Sequence, residues 1–595
     1  MRRPAARPHS PARRPHRMAG GLQASQRQTP PAPDTAPAQR STQRRTGETS
    51  QAAVYDSAPV VASAAEFSSV VARPADDRPL SSRFAAMTAA LALLLGSGLR
   101  LWRPDLAQTN FDESNVASLV TVWKLDGAFP LTGTVSSYGF RAGPGWPWFP
   151  ALGLLESNDP YALIGIGLAA GLAALFACWW VARRWLGPWG AAGAALFSAT
   201  SFYCVLLGRG AWQPAFLQAP MALCLDALLL LAVKRRPWAL VAACAWLGVL
   251  VSVHYSAIVF VLLVPFAAWA ARAALRPHHL AAAALAGVVA LSPLLLYEVQ
   301  PAVRFRELGL LLSLSGGNAT VDLDTVTSTI QVASTLGAAG LGGHAAADLA
   351  ASLGRWTSLS LLGPLLAAGG LVVACLRRPG GVAGGLIAAW TLLPIVAYVR
   401  HGAPIIFHYM YLEFPGLALA VGALAAWAAG TRLWPLRAGI GGAMAIYAGV
   451  PALSMVILLG GLDRLDMSAG YGVPVGYSRQ AGLVARLSLP PGGQVLIGDD
   501  PHNGEVLRFS TGYDIPTRTF EDCREVPYAP DAVYLLASER TPGAPALEQA
   551  GAALLARIPR PGGDAFRIYG APPTPPAGFA GGSEQICQDR LVWDA

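Results

Sequence analysis

The chain is poor in charge. Only 13% of its 595 residues are Asp, Glu, Lys or Arg, while 53% are apolar. Soluble domains carry roughly 25% charged residues, so the composition is that of a polytopic membrane chain and excludes a soluble one with a large core. Cysteine is scarce as well. Five of the seven (Cys178, Cys204, Cys224, Cys244, Cys375) sit singly in apolar runs, where they pack as small hydrophobes. None has metal-ligand spacing. Only Cys523 and Cys587 lie in polar sequence, where an extracytoplasmic setting would let them pair. No glycine-rich phosphate loop sits beside a strand, so nothing marks a soluble nucleotide site. No repeat relates the two halves, and the charged candidates lie at one rim instead of mid-membrane, which speaks against a transporter. The net charge of +9 is no nucleic-acid signal, because the basic residues are segregated into short loops and an N-terminal tail.

Residues 1–82 form that tail, rich in Arg, Pro, Ala, Ser and Gln and without apolar periodicity. It reads as disordered and cytoplasmic, and Met18 and Met87 are alternative starts. The expected membrane domain covers 83–462. Apolar runs near 84–102, 160–182, 189–207, 213–233, 237–254, 256–274, 279–298, 356–376, 383–400, 404–428 and 437–460 predict about eleven spans by the ~20-residue rule. With the tail inside, the loops that fall inside are basic throughout: Arg183-Arg184, Lys234-Arg235-Arg236, Arg272 with Arg276, Arg377-Arg378, and Arg432 with Arg437. The odd count places residues 463–595 outside. That region has more acidic residues than Arg and no Lys. Its β-like runs Gln494–Gly498 and Ala532–Ala537 and a helix at about 545–557 predict a small extracytoplasmic α/β domain. Asp499-Asp500 after the first run reads as an Asp-rich loop, not a metal site.

One polar stretch stands apart, Thr109-Asn-Phe-Asp-Glu-Ser-Asn115, in the first outer loop (104–159). Two adjacent carboxylates beside a bilayer are costly unless solvated or used. Val116, Leu119, Val120 and Trp123 follow at helical spacing, which predicts a helix over Asp112–Asp126. Capping that helix is the structural role open to Asp112 and Glu113; chemistry is the other. Further ionisable or aromatic groups concentrate on the same side: Arg141, Arg209, His254, Glu298, Arg400, His408, Tyr409 and Glu413. Each alone could be a snorkelling or core residue. A set of arginines suits an anionic phosphate.

Phe111-Asp-Glu, Pro130–Pro144, Gly208-Arg-Gly-Ala-Trp-Gln-Pro214, Val253-His-Tyr-Ser-Ala257 and Phe407–Gly416 occur in order. Together they resemble bacterial GT-C glycosyltransferases, relatives of protein O-mannosyltransferases and aminoarabinose transferases. The resemblance covers about residues 84–460. It implies a polytopic helical GT-C fold and an inverting transfer of sugar from a polyprenyl-phosphate donor. The acceptor would be a lipid, a polysaccharide or a protein on the outer face of the cytoplasmic membrane. It makes Asp112 the catalytic base and Glu113 its acidic neighbour, and Arg209 and His254 donor or substrate contacts; Arg141, Arg400, His408 and Tyr409 join them as candidates. Gln213 and Pro214 stand where many relatives carry an acidic residue. A second acidic site and a metal held by it are therefore not indicated, and no cofactor is expected. The outer loop 299–355 would cover the site as a lid. A lipid-linked glycan flippase or transporter, and a glycan polymerase or ligase, are the competing readings.

Overall fold

A computed structural model of the chain describes residues 79–576, apart from 137–138, 307–308, 311–319, 343–346, 377–380, 403–404, 466–470, 499–500, 521–525 and 542. Nearly all of the N-terminal tail, Arg377-Arg378, Asp499-Asp500, Cys523 and Cys587 therefore fall outside the described residues.

Eight described helices are long and apolar enough to cross a membrane. The longest, Pro160–Thr200, is two helices joined at Gly187, whose φ of 75° breaks the helical path ahead of Pro188. Ala239–Val253 and Tyr255–Ala270 are shorter apolar helices at two further expected positions. Burial separates centre from rim. The most apolar windows of Gln213–Ala232 and Phe407–Gly430 are 83% buried, whereas that of Pro277–Glu298 is 6% buried and faces the surroundings. Phe197 stacks between Phe414 and Tyr447 at 5.5 and 5.2 Å, and Phe260 stacks on Trp390 at 3.8 Å, within one contiguous core. Aromatic pairs at these spacings add to simple area burial.

By chain order the Arg-rich connections gather at one end of the bundle and the 104–159 segment at the other. At that second end the chain after Leu462 forms a mixed sheet whose strands lie in the order Thr517–Phe520, Gln494–Gly498, Ala532–Leu536, Ala565–Tyr569, Leu554–Pro559. A two-residue pair further back in the chain supplies β1 (Thr320–Val321) and β2 (Arg400–His401). The sheet itself comprises β3 (Gln494–Gly498), β4 (Thr517–Phe520), β5 (Ala532–Leu536), β6 (Leu554–Pro559) and β7 (Ala565–Tyr569). Strand β3 runs parallel to β4 and β5, while β7 runs antiparallel to β5 and β6. Strand β5 is buried along its whole length, as a central strand covered on both faces should be.

The helix expected at about 545–557 is corrected. It spans only Gly543–Gln549. Gly551 at φ 80° stops it, with Ala552 N–H bonding back to Leu547 C=O at 2.9 Å, and the chain re-enters the sheet as β6.

The sheet domain grips both ends of the 104–159 segment. Val475 N–H donates to Ala107 C=O at 2.9 Å and the Tyr471 hydroxyl to Leu106 C=O at 2.9 Å. Arg479 makes a two-pronged pair with Asp159 at 2.5 and 2.7 Å. The segment is thereby held to a folded domain instead of hanging as a free loop.

Candidate active site

The carboxylate helix runs Phe111–Asp126. Its start is a capping box. The Asn110 side chain accepts from the Asp112 and Glu113 N–H groups, and Glu113 Oε2 accepts Asn110 N–H at 2.7 Å. The structural role anticipated for the acidic pair thus belongs to Glu113, which is only 2% exposed. Burial pushes its carboxyl up to about 8, backbone hydrogen bonds from Asn110 and Ala211 pull the other way, and the neighbouring Asp112 charge raises it further. Asp112, half-buried, faces a different partner: its Oδ2 accepts the Trp212 indole N–H at 3.2 Å.

Residues 208–212 organise what surrounds it. Gly167 and Gly171, one turn apart on helix Pro160–Thr200, let this backbone pass in contact. A Cβ on either would come within 2.0 Å of Gly210 O or 2.4 Å of Gly208 O. Ala211 C=O then accepts Trp146 Nε1–H at 3.1 Å. Trp212 donates to Asp112 and lays its ring 4.5 Å from the His408 ring. His408 contacts Tyr409 at 4.3 Å, and Tyr409 lies 5.5 Å from His254. His254 Nδ1 accepts Ser256 N–H at 3.3 Å and lies 2.5 Å from the Ser256 hydroxyl. The structure therefore brings Asp112, His254, His408 and Tyr409 to one cluster, with Glu113 directly behind Asp112.

Arg141 lies on a neighbouring stretch of the 104–159 segment. It pairs across the chain with Val135, and its neighbour Phe140 lies 5.7 Å from Tyr255. Gly143 is pressed so closely on the end of helix Ala239–Val253 that an added Cβ would lie 2.2 Å from Ser252 O. Arg400 is exposed on β2, opposite Val321 of β1.

Arg209 departs from expectation. It is 1% exposed. Its terminal nitrogens donate to the carbonyls of Leu99, Arg100, Trp102 and Arg103 at 2.7–3.0 Å. It thus closes the C-terminus of helix Pro79–Leu101, satisfying carbonyls that a helix end leaves open. The guanidinium thus holds the end of this helix through its two terminal nitrogens.

Trp212 went unremarked in the sequence, although it sits inside the quoted Gly-Arg-Gly-Ala-Trp-Gln-Pro run. Its signal was an indole at the end of a span, where its N–H needs a partner. Within 299–355, helix Asp324–Val332 is pinned beside the cluster. The Thr329 hydroxyl donates to Glu413 Oε1 at 3.0 Å, and Gln331 donates to the Tyr203 hydroxyl at 3.0 Å. Asp322, Asp324 and His401 bring their ligating atoms within 4.8 Å of one another. Asp322 Oδ1 is, however, engaged by Asp324 N–H at 2.9 Å and lies 3.0 Å from His401 Nε2.

No protein-family model matches the sequence, and no curated protein matches it either. Solved structures do match. The chain is similar to ArnT from Cupriavidus metallidurans bound to undecaprenyl phosphate, with a TM-score of 0.51 at 14% identity, over 82% of this chain and 98% of that one. The apo state of ArnT gives 0.49 at 15% identity over the same shares. The oligosaccharyltransferase of Archaeoglobus fulgidus, in its apo form, gives 0.41 at 12% identity over 73% of this chain and 64% of that one. This multi-pass membrane chain has an ArnT-like fold.

Proposed function

We propose that the chain is an inverting glycosyltransferase that moves a sugar from a polyprenyl-phosphate carrier to an acceptor hydroxyl at the outer face of the cytoplasmic membrane. The observation that carries this reading is the Asp112 carboxylate, held by Trp212 beside His408, His254 and Tyr409. Its setting on an ArnT-like fold supports it. Asp112 takes the proton of the attacking hydroxyl. The hydroxyl oxygen bonds to the anomeric carbon as the bond from that carbon to the phosphate oxygen breaks. The electron pair leaves with the polyprenyl phosphate. One base and one displacement invert the anomeric centre, by the logic of inverting glycosidases.

Glu113 serves by staying protonated. Two ionised carboxylates side by side would repel, whereas a buried, neutral Glu113 locks the cap and leaves Asp112 the acceptor. Arg141 and Arg400 are the arginines this reading assigns to the leaving phosphate, whose charge grows in the transition state. His254, His408 and Tyr409 line the sugar.

The test is transfer from a panel of radiolabelled polyprenyl-phosphate sugars by purified protein in nanodiscs, with membrane extract as acceptor. The reading expects sugar on the acceptor and free polyprenyl phosphate in equal amounts. Donor lipid crossing a vesicle bilayer without transfer would replace it with the flippase. Transfer only from diphosphate-linked glycans would replace it with the polymerase or ligase.

A further inference from the structure

The first helix, Pro79–Leu101, packs unevenly along the hairpin formed by Pro160–Thr200. Toward the candidate active site the contact is tight: a Cβ added at Gly96 would lie 2.8 Å from Ala199. One turn further on, Ala92, Leu175, Ala195 and Ala199 close an apolar cluster. Beyond that seal, toward the Arg-rich end of the bundle, a cavity of about 330 Å³ lies between the helices. Its walls are apolar, with Ala86 and Ala90 across from Trp179 and Pro188, and Arg83 and Arg183 stand among its lining residues. The corner at Gly187 and Pro188 shapes the far wall.

The two neighbouring arginines of this hairpin differ. Arg184 is committed to Asp226 at 2.5 Å, and that carboxylate also accepts the Trp185 indole N–H at 2.7 Å. Arg83 and Arg183 line the cavity, and among the described residues neither has an ion-pair partner. Both are exposed at that end of the bundle, and cations beside a bilayer attract anionic head groups. Small alanine side chains line the cavity, and on the same helix Phe84, Met87, Leu91 and Leu94 are more than half exposed, as lipid-facing residues are.

We propose that this cavity is a binding site for one anionic glycerophospholipid. The phosphodiester sits between the Arg83 and Arg183 guanidinium groups, and an acyl chain runs along Ala86 and Ala90. Guanidinium forks match phosphate oxygens, and basic pockets between spans take lipid head groups. The charge selects the occupant. An acyl chain alone would fill the cavity without answering the cations, a zwitterionic lipid brings its own cation, and free phosphate answers the cations but leaves the apolar walls uncovered. The site lies at the opposite end of the bundle from Asp112 and stands whether or not sugar transfer does.

The experiment is native mass spectrometry of the full chain released from nanodiscs of equal phosphatidylglycerol and phosphatidylcholine. Wild type should retain one phosphatidylglycerol with a preference on the order of tenfold. The doubly substituted Arg83→Ala/Arg183→Ala protein should lose that preference while remaining monodisperse with an unchanged melting temperature. Arg235→Ala/Arg236→Ala, which removes the same charge from a neighbouring loop, should keep it. Millimolar inorganic phosphate should not displace the lipid. The proposal is overturned if wild type shows no preference, if the loop control loses it equally, or if inorganic phosphate alone competes the lipid away.

Discussion

The Tyr513 hydroxyl donates to the Ser114 carbonyl at 2.6 Å, which ties the sheet domain to the first turn of the carboxylate helix, two residues past Asp112. The Tyr513 ring is itself fixed, 5.9 Å from Phe509 and under the Arg508 guanidinium at 5.3 Å. Removing only the hydroxyl tests whether this tie positions the base. Tyr513→Phe should lower kcat on the order of tenfold and leave the donor KM unchanged, since a small displacement of a catalytic group costs rate before binding. A raised KM with unchanged kcat would assign the sheet domain to binding instead.

Trp212 bonds Asp112 through its indole N–H and touches His408 through its ring. Trp212→Phe keeps the ring and deletes the donor. The expected loss is about tenfold in kcat, the size of one lost hydrogen bond near a charge, while Trp212→Ala should lose more and raise the donor KM. Equal effects of the two substitutions would show that the hydrogen bond contributes nothing.

Glu113 makes stability fall as pH rises. Its folded carboxyl titrates at about 8 against the ordinary 4.5, so the folded state binds the extra proton between those values. Stability attributable to this group then decreases across that window by about 1.4 kcal/mol per pH unit. Glu113→Gln carries no titrating proton and should flatten the melting temperature between pH 5 and pH 8. The same slope in both proteins would mean that the carboxyl is not buried in its neutral form.

Arg209 is a cap in this structure, and substitution should betray that. Arg209→Lys keeps the charge but cannot reach four carbonyls from one ammonium. It should destabilise the protein by roughly 3 kcal/mol, because buried carbonyls are left open, and the fraction that stays folded should keep the wild-type donor KM. A protein of normal stability with a strongly raised donor KM would return Arg209 to the phosphate.

Much of the fold is legible in the sequence. Apolar runs of spanning length placed the helices, and the 3.6-residue rhythm of Val116, Leu119, Val120 and Trp123 placed the carboxylate helix almost to the residue. What escaped was long-range. Nothing local shows that an arginine closes a helix more than 100 residues earlier in the chain, as Arg209 does. Trp212 escaped because its partner, Asp112, lies 100 residues away. The helix drawn through 545–557 overran because one glycine at positive φ outweighed an apolar run that suits helix and strand equally.

Asp112 carries the central claim, and the most direct measurement is single-turnover sugar transfer by wild type and Asp112→Asn, both purified in nanodiscs and shown to melt alike. The account predicts that Asn, equal in shape but unable to take a proton, binds the donor normally and loses transfer by about 10²–10⁴-fold. Transfer by Asp112→Asn at the wild-type rate would contradict it and move the base to another group of the cluster.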